Sequence, residues 1–144
     1  MTITLFENSL VSFDFAEQYF IQRPNSETWY DSTISVKEQA LIFATLKINN
    51  FNFIGNKKTA SQLLEFPRDF LPELPFEIQY AVCEEAIALI ENSVHSKNKK
   101  FGISSVTIGK SSVSYFQKNN SSALLSDEAY NFVSKWTAKN FDIS

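Results

Sequence analysis

The sequence predicts a mainly α-helical fold, a small helical bundle with a β-hairpin inserted before the C-terminal helix. Apolar residues recur at helical spacing along most of the chain, and Ser residues precede several of these stretches. The apolar period changes to two only within residues 103–116. With 144 residues and a hydrophobic fraction of 44%, the chain fits one domain over 1–144. We expect a helical core in 10–93 and a C-terminal helix and tail in 125–144.

The first helix is predicted to begin after Ser12, whose side chain can accept a hydrogen bond from a free amide of the first turn. It should end near Arg23, because Pro24 disfavours helical geometry at the residue before it. A loop follows, and we expect Trp29 and Tyr30 to lie in a short turn or partial helix.

The second helix is predicted to start at Ser35, since Glu38 follows three residues later in the pattern of a capping box. An apolar stripe comes next, and Phe43 and Leu46 widen it. We therefore expect this helix to be covered on more than one side and to end near residues 49–50.

A long connection over 51–75 is expected to contain only a short helical turn at 60–64. Connections of this length are often functional or supported by a partner. The third helix should begin at Pro75 or Phe76, because proline suits the first helical turn. Its apolar residues continue around much of its girth to about Asn92, which predicts a position at the centre of the fold.

A polar loop is expected at 93–100, and the hairpin follows it at 103–116. Its two strands alternate apolar residues with Ser and Thr, and a Gly109-Lys110 turn separates them. The apolar strand residues are Val106, Ile108, Val113 and Tyr115.

The last helix is predicted to begin at Ser126, with acidic residues in its first turn. Phe132 and Trp136 lie on its predicted apolar face. Phe141 and Ile143 are isolated apolar residues in the tail beyond it, and they have few neighbours in the sequence with which to pack.

Known kinds of catalytic, metal and cofactor site are missing from the sequence. It has one cysteine, Cys83, in an apolar helical stretch where a buried thiol is expected, and one histidine, His95, in the predicted polar loop. Glu84 and Glu85 are adjacent on a helix and should point in different directions, with Glu84 in solvent. We therefore expect no enzyme activity, no metal and no cofactor.

Charge and hydropathy exclude further classes of protein. The net charge of −3 argues against a dedicated nucleic-acid binder, which usually presents a basic face to phosphates. No apolar run approaches the length of a membrane span, and the N-terminus lacks the pattern of a secretory signal. We therefore expect no membrane partner.

The predicted hairpin requires a partner. An isolated two-stranded ribbon is marginally stable in water, and one helical domain can cover its apolar face without covering both edges. Strand addition between copies of the chain would satisfy these edges. This predicts self-association, and the apolar tail would suit a groove on another protein.

The order of these features resembles the head-to-tail adaptor, or head-completion, proteins of phages, some of which are described as DnaT-like single-strand-binding proteins. The likeness spans about residues 10–116, and Phe66 stands where the family usually has Trp. The matching pieces, in chain order, are Val11-Ser12, Ala16-Glu17, Tyr19-Phe20, Trp29, Lys37 to Leu41, Ala44-Thr45, Phe53-x-Gly55-x-Lys57, Gln62-x-Leu64-x-Phe66-Pro67-Arg68, Leu74-Pro75, Ala81, Glu84 or Glu85, Ala86, Leu89 and Val106 to Gly109.

Such a resemblance implies a structural virion protein of the phage neck, assembled in the host cytoplasm. It implies a ring of typically twelve subunits beneath the portal protein and above a downstream tail or stopper protein, through which DNA passes without specific binding. Candidate residues for the contacts between subunits are Arg68, Val106, Ile108, Val113 and Tyr115. Candidate residues for docking on the portal are Phe132, Trp136, Phe141 and Ile143.

The family's second label implies an alternative, a module that binds single-stranded DNA. Its affinity for DNA should then fall steeply as the salt concentration rises. The sequence shows no strand in which aromatic and basic residues alternate, which is one arrangement that single-strand binders use.

Overall fold

The computed structural model describes residues 2–71, 73–99 and 124–137. These residues are mainly helical, as predicted. The predicted hairpin at 103–116 and the tail residues Phe141 and Ile143 lie outside the described residues. The helices are α1 (Phe13–Gln22), α2 (Glu27–Tyr30), α3 (Ile34–Asn49), α4 (Phe76–Lys99) and α5 (Asp127–Ser134).

The predicted starts of α1 and α5 are confirmed. Ser12 Oγ accepts a hydrogen bond from the Phe15 amide at 3.0 Å, and Ser126 Oγ accepts one from the Ala129 amide at 3.1 Å. Each bond pairs one of the four amides that a helix leaves free at its N-terminus.

The predicted start of α3 is wrong by two residues. Thr33, and not Ser35, is the N-cap, with its Oγ1 accepting from the Val36 amide at 3.2 Å. Ser35 therefore lies inside the first turn, where it cannot cap. The Ser35–Glu38 spacing matched the capping-box pattern, but a threonine two residues earlier offers the same acceptor and allows a longer helix.

The predicted end of α4 is also wrong. The helix continues through the expected loop at 93–100 as far as Lys99. This stretch is polar but contains neither Gly nor Pro, and its lysines favour helical backbone. Loss of apolar residues marked the end of the buried part of α4 and not the end of the helix. No helix of the described residues is both long and apolar enough to cross a membrane.

Helix α4 lies at the centre of the fold, as predicted, and packs most extensively against α3 and α5. Its residues Ile78, Val82 and Ile87 are almost completely buried. Cys83 is buried as expected, and burial raises the pKa of its thiol. The side chain belongs to the core and not to a reactive site.

The connection between α3 and α4 is organised around a buried arginine. Arg68 is 4% exposed and donates hydrogen bonds to the carbonyl oxygens of Phe53 (3.2 Å), Ile54 (3.1 Å) and Gly55. Its Nη1 also contacts Oε1 of Glu65 at 2.9 Å. The helical turn predicted at 60–64 does not form. In its place is one hydrogen-bonded chain reversal over residues 59–62, in which the Gln62 amide donates to the Thr59 carbonyl at 3.1 Å.

Gly55 lets this connection close. Its φ is +79°, and a Cβ added there would lie 2.7 Å from the Phe70 ring. Both facts favour a residue without a side chain. The connection also meets the C-terminal part of the chain, because Phe53 forms an isolated antiparallel bridge with Thr137.

Glu85 joins α3, α4 and α5. Its carboxylate is 0% exposed and contacts the Lys47 ammonium at 2.7 Å. The same carboxylate accepts hydrogen bonds from the amides of Leu125 and Ser126, each at 3.0 Å. These contacts compensate the cost of burying the charge and fix the point at which α5 begins.

Candidate nucleic-acid interface

Five partly exposed rings form one continuous patch on the side of the molecule where α1, α4 and α5 meet. We call this patch the aromatic surface. Phe76 is 62% exposed and the other rings are half-buried, and Phe15, Tyr19 and Phe132 pack against the core. The members of the aromatic surface are Phe15, Tyr19, Phe76, Tyr80 and Phe132.

Tyr80 lies at the centre of the aromatic surface. Its ring centroid is 5.3 Å from that of Tyr19, and it is 6.1 Å from those of Phe15 and Phe76. These three pairs are stacked, with interplanar angles of 29° for Tyr19, 25° for Phe15 and 18° for Phe76. Phe132 meets Tyr80 edge-on at 5.7 Å. All four distances fall within the range favoured by aromatic pairs.

The spacing of the rings follows from helix geometry. Phe15 and Tyr19 are four residues apart on α1, and Phe76 and Tyr80 are four residues apart on α4. Residues at this spacing lie on the same side of a helix. Both helices carry the pattern Phe-x-x-Gln-Tyr, so that two matching pairs of rings meet where the helices pack.

Clefts border the aromatic surface on two sides. One, of about 320 Å³, is lined by Tyr19, Gln22, Arg23, Pro24 and Tyr80. The other, of about 450 Å³, is lined by Phe15 and Phe76 together with residues of the N-terminal segment and of the connection between α3 and α4. A ligand on the rings therefore has space at both ends of the patch.

A charged cluster fixes one edge of the aromatic surface. Arg23 Nε contacts Glu84 Oε2 at 2.7 Å, and Tyr19 Oη donates a short hydrogen bond to the same oxygen. The hydrogen bond to Glu84 raises the pKa of Arg23. Burial raises the pKa of the Tyr19 phenol, and its hydrogen bond to Glu84 adds to the effect.

The expectation that Glu84 lies in solvent is wrong, because this residue is 6% exposed. Its partners, Tyr19 in α1 and Arg23 at the C-cap of that helix, are 65 and 61 residues away in the sequence, so no local pattern marks it. The second expectation about this pair, that Glu84 and Glu85 point apart, is confirmed. Glu84 contacts α1, and Glu85 contacts Lys47 and the start of α5.

Positive charge is unevenly distributed along the chain. Residues 92–126 contain five of the thirteen cationic residues and none of the sixteen acidic residues. The net charge of −3 thus divides into +5 for this stretch and −8 for the rest. Lys97 and Lys99 lie in the last part of α4, on the same helix as two rings of the aromatic surface. The net charge of the whole chain, used above against nucleic-acid binding, conceals this division.

Many cations elsewhere in the described residues are engaged within the chain. Each of five forms an ion pair with a glutamate of the same chain. They are Arg23, Lys37, Lys47, Lys57 and Arg68. Pairing makes these residues poor ligands for phosphate, so the stretch at 92–126 is the better candidate for that role.

The candidate residues of the sequence analysis have different outcomes. Arg68 was a candidate for contacts between subunits, but its guanidinium is buried and bound to carbonyls of its own chain, so the structure gives it an intramolecular role. Phe132 is part of the aromatic surface. Trp136 packs against the core, and its Nε1 is buried without a hydrogen-bond partner in the described part of the chain. The remaining candidates, Val106, Ile108, Val113, Tyr115, Phe141 and Ile143, lie outside the described residues.

The sequence analysis missed the aromatic surface. The repeated Phe-x-x-Gln-Tyr pattern was the available signal, but it identifies a surface only once α1 is known to pack alongside α4. Metal chemistry has no comparable site, since no group of His, Cys, Asp and Glu among the described residues could hold a metal ion.

A family model described as "Putative DnaT-like ssDNA binding protein" matches residues 3–140. The chain belongs to this family. No curated protein and no solved structure matches it. The match to the DnaT-like family covers both the aromatic surface and the lysine-rich stretch. The resemblance stated above is thus confirmed for the DnaT-like single-strand-binding family, and the finer identification as a phage adaptor is not confirmed.

Proposed function

We propose that this protein binds single-stranded DNA, with bases stacked on the aromatic surface and phosphates held by the lysines of residues 97–118. The observation that carries the proposal is the set of five neighbouring rings, each partly exposed, with three of them packed against the core. Membership of the DnaT-like family supports it.

Stacking on such rings needs no particular base, because every base has an aromatic face. Each stacked base contributes on the order of 1–3 kcal/mol. The neighbouring rings hold Tyr80 in place, so that little side-chain freedom remains to be lost on binding. The clefts on either side leave room for the sugar and the adjoining bases.

The lysines complement the rings because α4 connects them. Tyr80 and Lys97 are both on α4, and at 1.5 Å per residue the helix separates them by about 26 Å. A strand that extends along α4 from the aromatic surface reaches the lysine-rich end. Residues 92–126 carry a net charge of +5 and the rest of the chain −8, so phosphates are attracted to the lysine-rich stretch more than to other parts of the chain.

The proposal is tested by the fluorescence anisotropy of a short labelled oligothymidine, which one copy of the protein can bind alone, at low salt. Phe76→Ala removes the most exposed ring of the aromatic surface, and we expect about tenfold weaker binding from the loss of one stacking contact. Phe43→Ala is the matched control, because Phe43 is a similarly exposed ring, at 53%, on α3. Equal affinities for the two variants would contradict the proposal, as would no binding by the unchanged protein.

A second candidate function is the ring-forming adaptor beneath a phage portal, joined to a downstream tail or stopper protein, with DNA passing through. One observation favours it: the chain exposes two different apolar patches, the aromatic surface and a side of α3 that includes Phe43 and Leu46. Contacts around a ring join two different patches of neighbouring subunits. Electron microscopy of the protein mixed with a portal tests it, and a ring bound to the portal is the expected result.

A further inference from the structure

We propose that α3 pairs with α3 of a second copy of this chain, which makes the protein a two-fold dimer. The dimer is inferred from α3 alone. Only its consequence for DNA affinity, considered below, rests on the proposed function. The surface concerned is the outer seam of α3, which we define as Val36, Gln39, Phe43, Leu46 and the C-cap residue Asn50.

The outer seam leaves apolar side chains in solvent. Val36 is 39% exposed, Phe43 is 53% exposed and Leu46 is 52% exposed. The other side of α3 packs into the core, where Leu41 and Ile48 are completely buried. The helix is therefore apolar on both sides, which is typical of a helix that is covered on both sides.

The spacing along the outer seam identifies a helix as the partner. Its members are separated by three, four, three and four residues. This alternation is the pattern by which two helices pair through a continuous seam. The apolar members Val36, Phe43 and Leu46 supply the contact area, and the polar members Gln39 and Asn50 can set the register.

Charge identifies the partner as a second copy. The lysines of α3 are engaged elsewhere, Lys37 with Glu17 at 3.2 Å and Lys47 with Glu85 at 2.7 Å. The outer seam has no charged residue, so two identical seams meet without repulsion between like charges. DNA or a strongly charged protein would find no complementary charge there.

Antiparallel pairing places the centre of the seam on the two-fold axis. Phe43 then faces Phe43 of the second copy, and Gln39 faces Leu46 of the second copy. The 16 residues of α3 span about 24 Å, which makes the contact smaller than the roughly 800 Å² per partner of a standard interface. We therefore expect a reversible dimer that forms in the micromolar range.

Light scattering of the full chain across a range of concentrations tests the proposal. The unchanged protein should move from the mass of a monomer to that of a dimer. Phe43→Ser should remain a monomer throughout. Ile34→Ser is the matched control and should still dimerise, because Ile34 is 64% exposed but lies on the opposite side of α3 from Phe43. Leu46→Ser provides a second seam variant if Phe43→Ser does not fold.

Cross-linking tests the two-fold symmetry. A disulfide between two copies of Phe43→Cys is expected on oxidation, because only a residue near the axis meets its own counterpart. The native Cys83 is buried and does not compete. A single mass corresponding to a ring of many subunits, without this disulfide, would overturn the proposal. It would indicate contacts between two different patches of neighbouring subunits. A monomer at every concentration would overturn it in favour of another occupant of the seam, such as residues 138–144 of the same chain.

The dimer also changes the expected behaviour with DNA. The two aromatic surfaces of a dimer should bind a long oligonucleotide more tightly than a short one. Once one surface has bound a long strand, the effective concentration of that strand at the second surface is high. Phe43→Ser should remove this advantage without changing affinity for the short oligonucleotide. If the protein binds no DNA, the masses measured by light scattering still decide whether the dimer exists.

Discussion

The aromatic surface and the outer seam of α3 are both exposed and apolar, but they differ in chemistry. The aromatic surface consists of flat rings with two phenol hydroxyls, and Arg23 and Glu84 lie at its edge. The outer seam combines two aliphatic side chains, one ring and two amides, carries no charge and follows a single helix. Flat rings suit the faces of bases, whereas an uncharged helical seam suits another helix. Exposed apolar area alone therefore does not identify a partner; the chemistry at its border does.

The largest expected effect comes from the residue that supports both surfaces. Glu85→Ala leaves the Lys47 ammonium and the amides of Leu125 and Ser126 without their buried acceptor. Breaking a buried pair in this way costs about 3–5 kcal/mol. Urea denaturation should show that loss of unfolding free energy, and α5 with its Phe132 should lose its fixed position. Glu91→Ala is the control, because Glu91 is an exposed residue on the same helix; losses of equal size would contradict this role for Glu85.

A smaller loss of unfolding free energy is expected from Arg68→Ala, because Arg68 supports neither the aromatic surface nor the outer seam. The carbonyls of Phe53, Ile54 and Gly55 lose their shared donor, and about 2–4 kcal/mol of unfolding free energy should go with it. The mass of the protein in solution should not change at concentrations where it remains folded. Lys58→Ala, at an exposed position of the same connection, should have little effect. A change in mass with full stability would return Arg68 to the contacts between subunits.

The smallest expected effect is on the pH dependence of stability. The pKa of Tyr19 is raised above its ordinary value of 10.0 by burial and by the hydrogen bond to Glu84. The folded protein therefore keeps this proton where the unfolded chain loses it, so the stability that Tyr19 contributes is present below pH 10 and declines above it. Each proton changes the slope by at most about 1.4 kcal/mol per pH unit. Urea denaturation at pH 9 and pH 11 should show a smaller decline for Tyr19→Phe than for the unchanged protein.

The sequence predicted features that depend on neighbouring residues. The caps at Ser12 and Ser126 and the central position of α4 followed from local patterns. It failed where two local signals competed, as at Thr33 and Ser35, and where the local signal ended before the helix did, as after Asn92.

The candidate site was harder to predict because it depends on contacts between distant residues. Arg68 and Glu84 are charged residues that a sequence places in solvent, and their burial depends on partners 13 to 65 residues away. The aromatic surface requires α1 to pack alongside α4, which neither helix specifies by itself. Stacking of bases on this surface is the claim on which the proposed function depends.

Photochemical cross-linking tests that claim most directly. The protein is mixed with an oligonucleotide that contains 5-bromodeoxyuridine, irradiated and digested, and the peptides joined to DNA are identified by mass spectrometry. We expect the joined residues to be members of the aromatic surface, namely Phe15, Tyr19, Phe76, Tyr80 or Phe132, with joining suppressed by excess unmodified single strand. Joining confined to α3, or suppression by double-stranded DNA as strong as that by the single strand, would contradict base stacking on the aromatic surface.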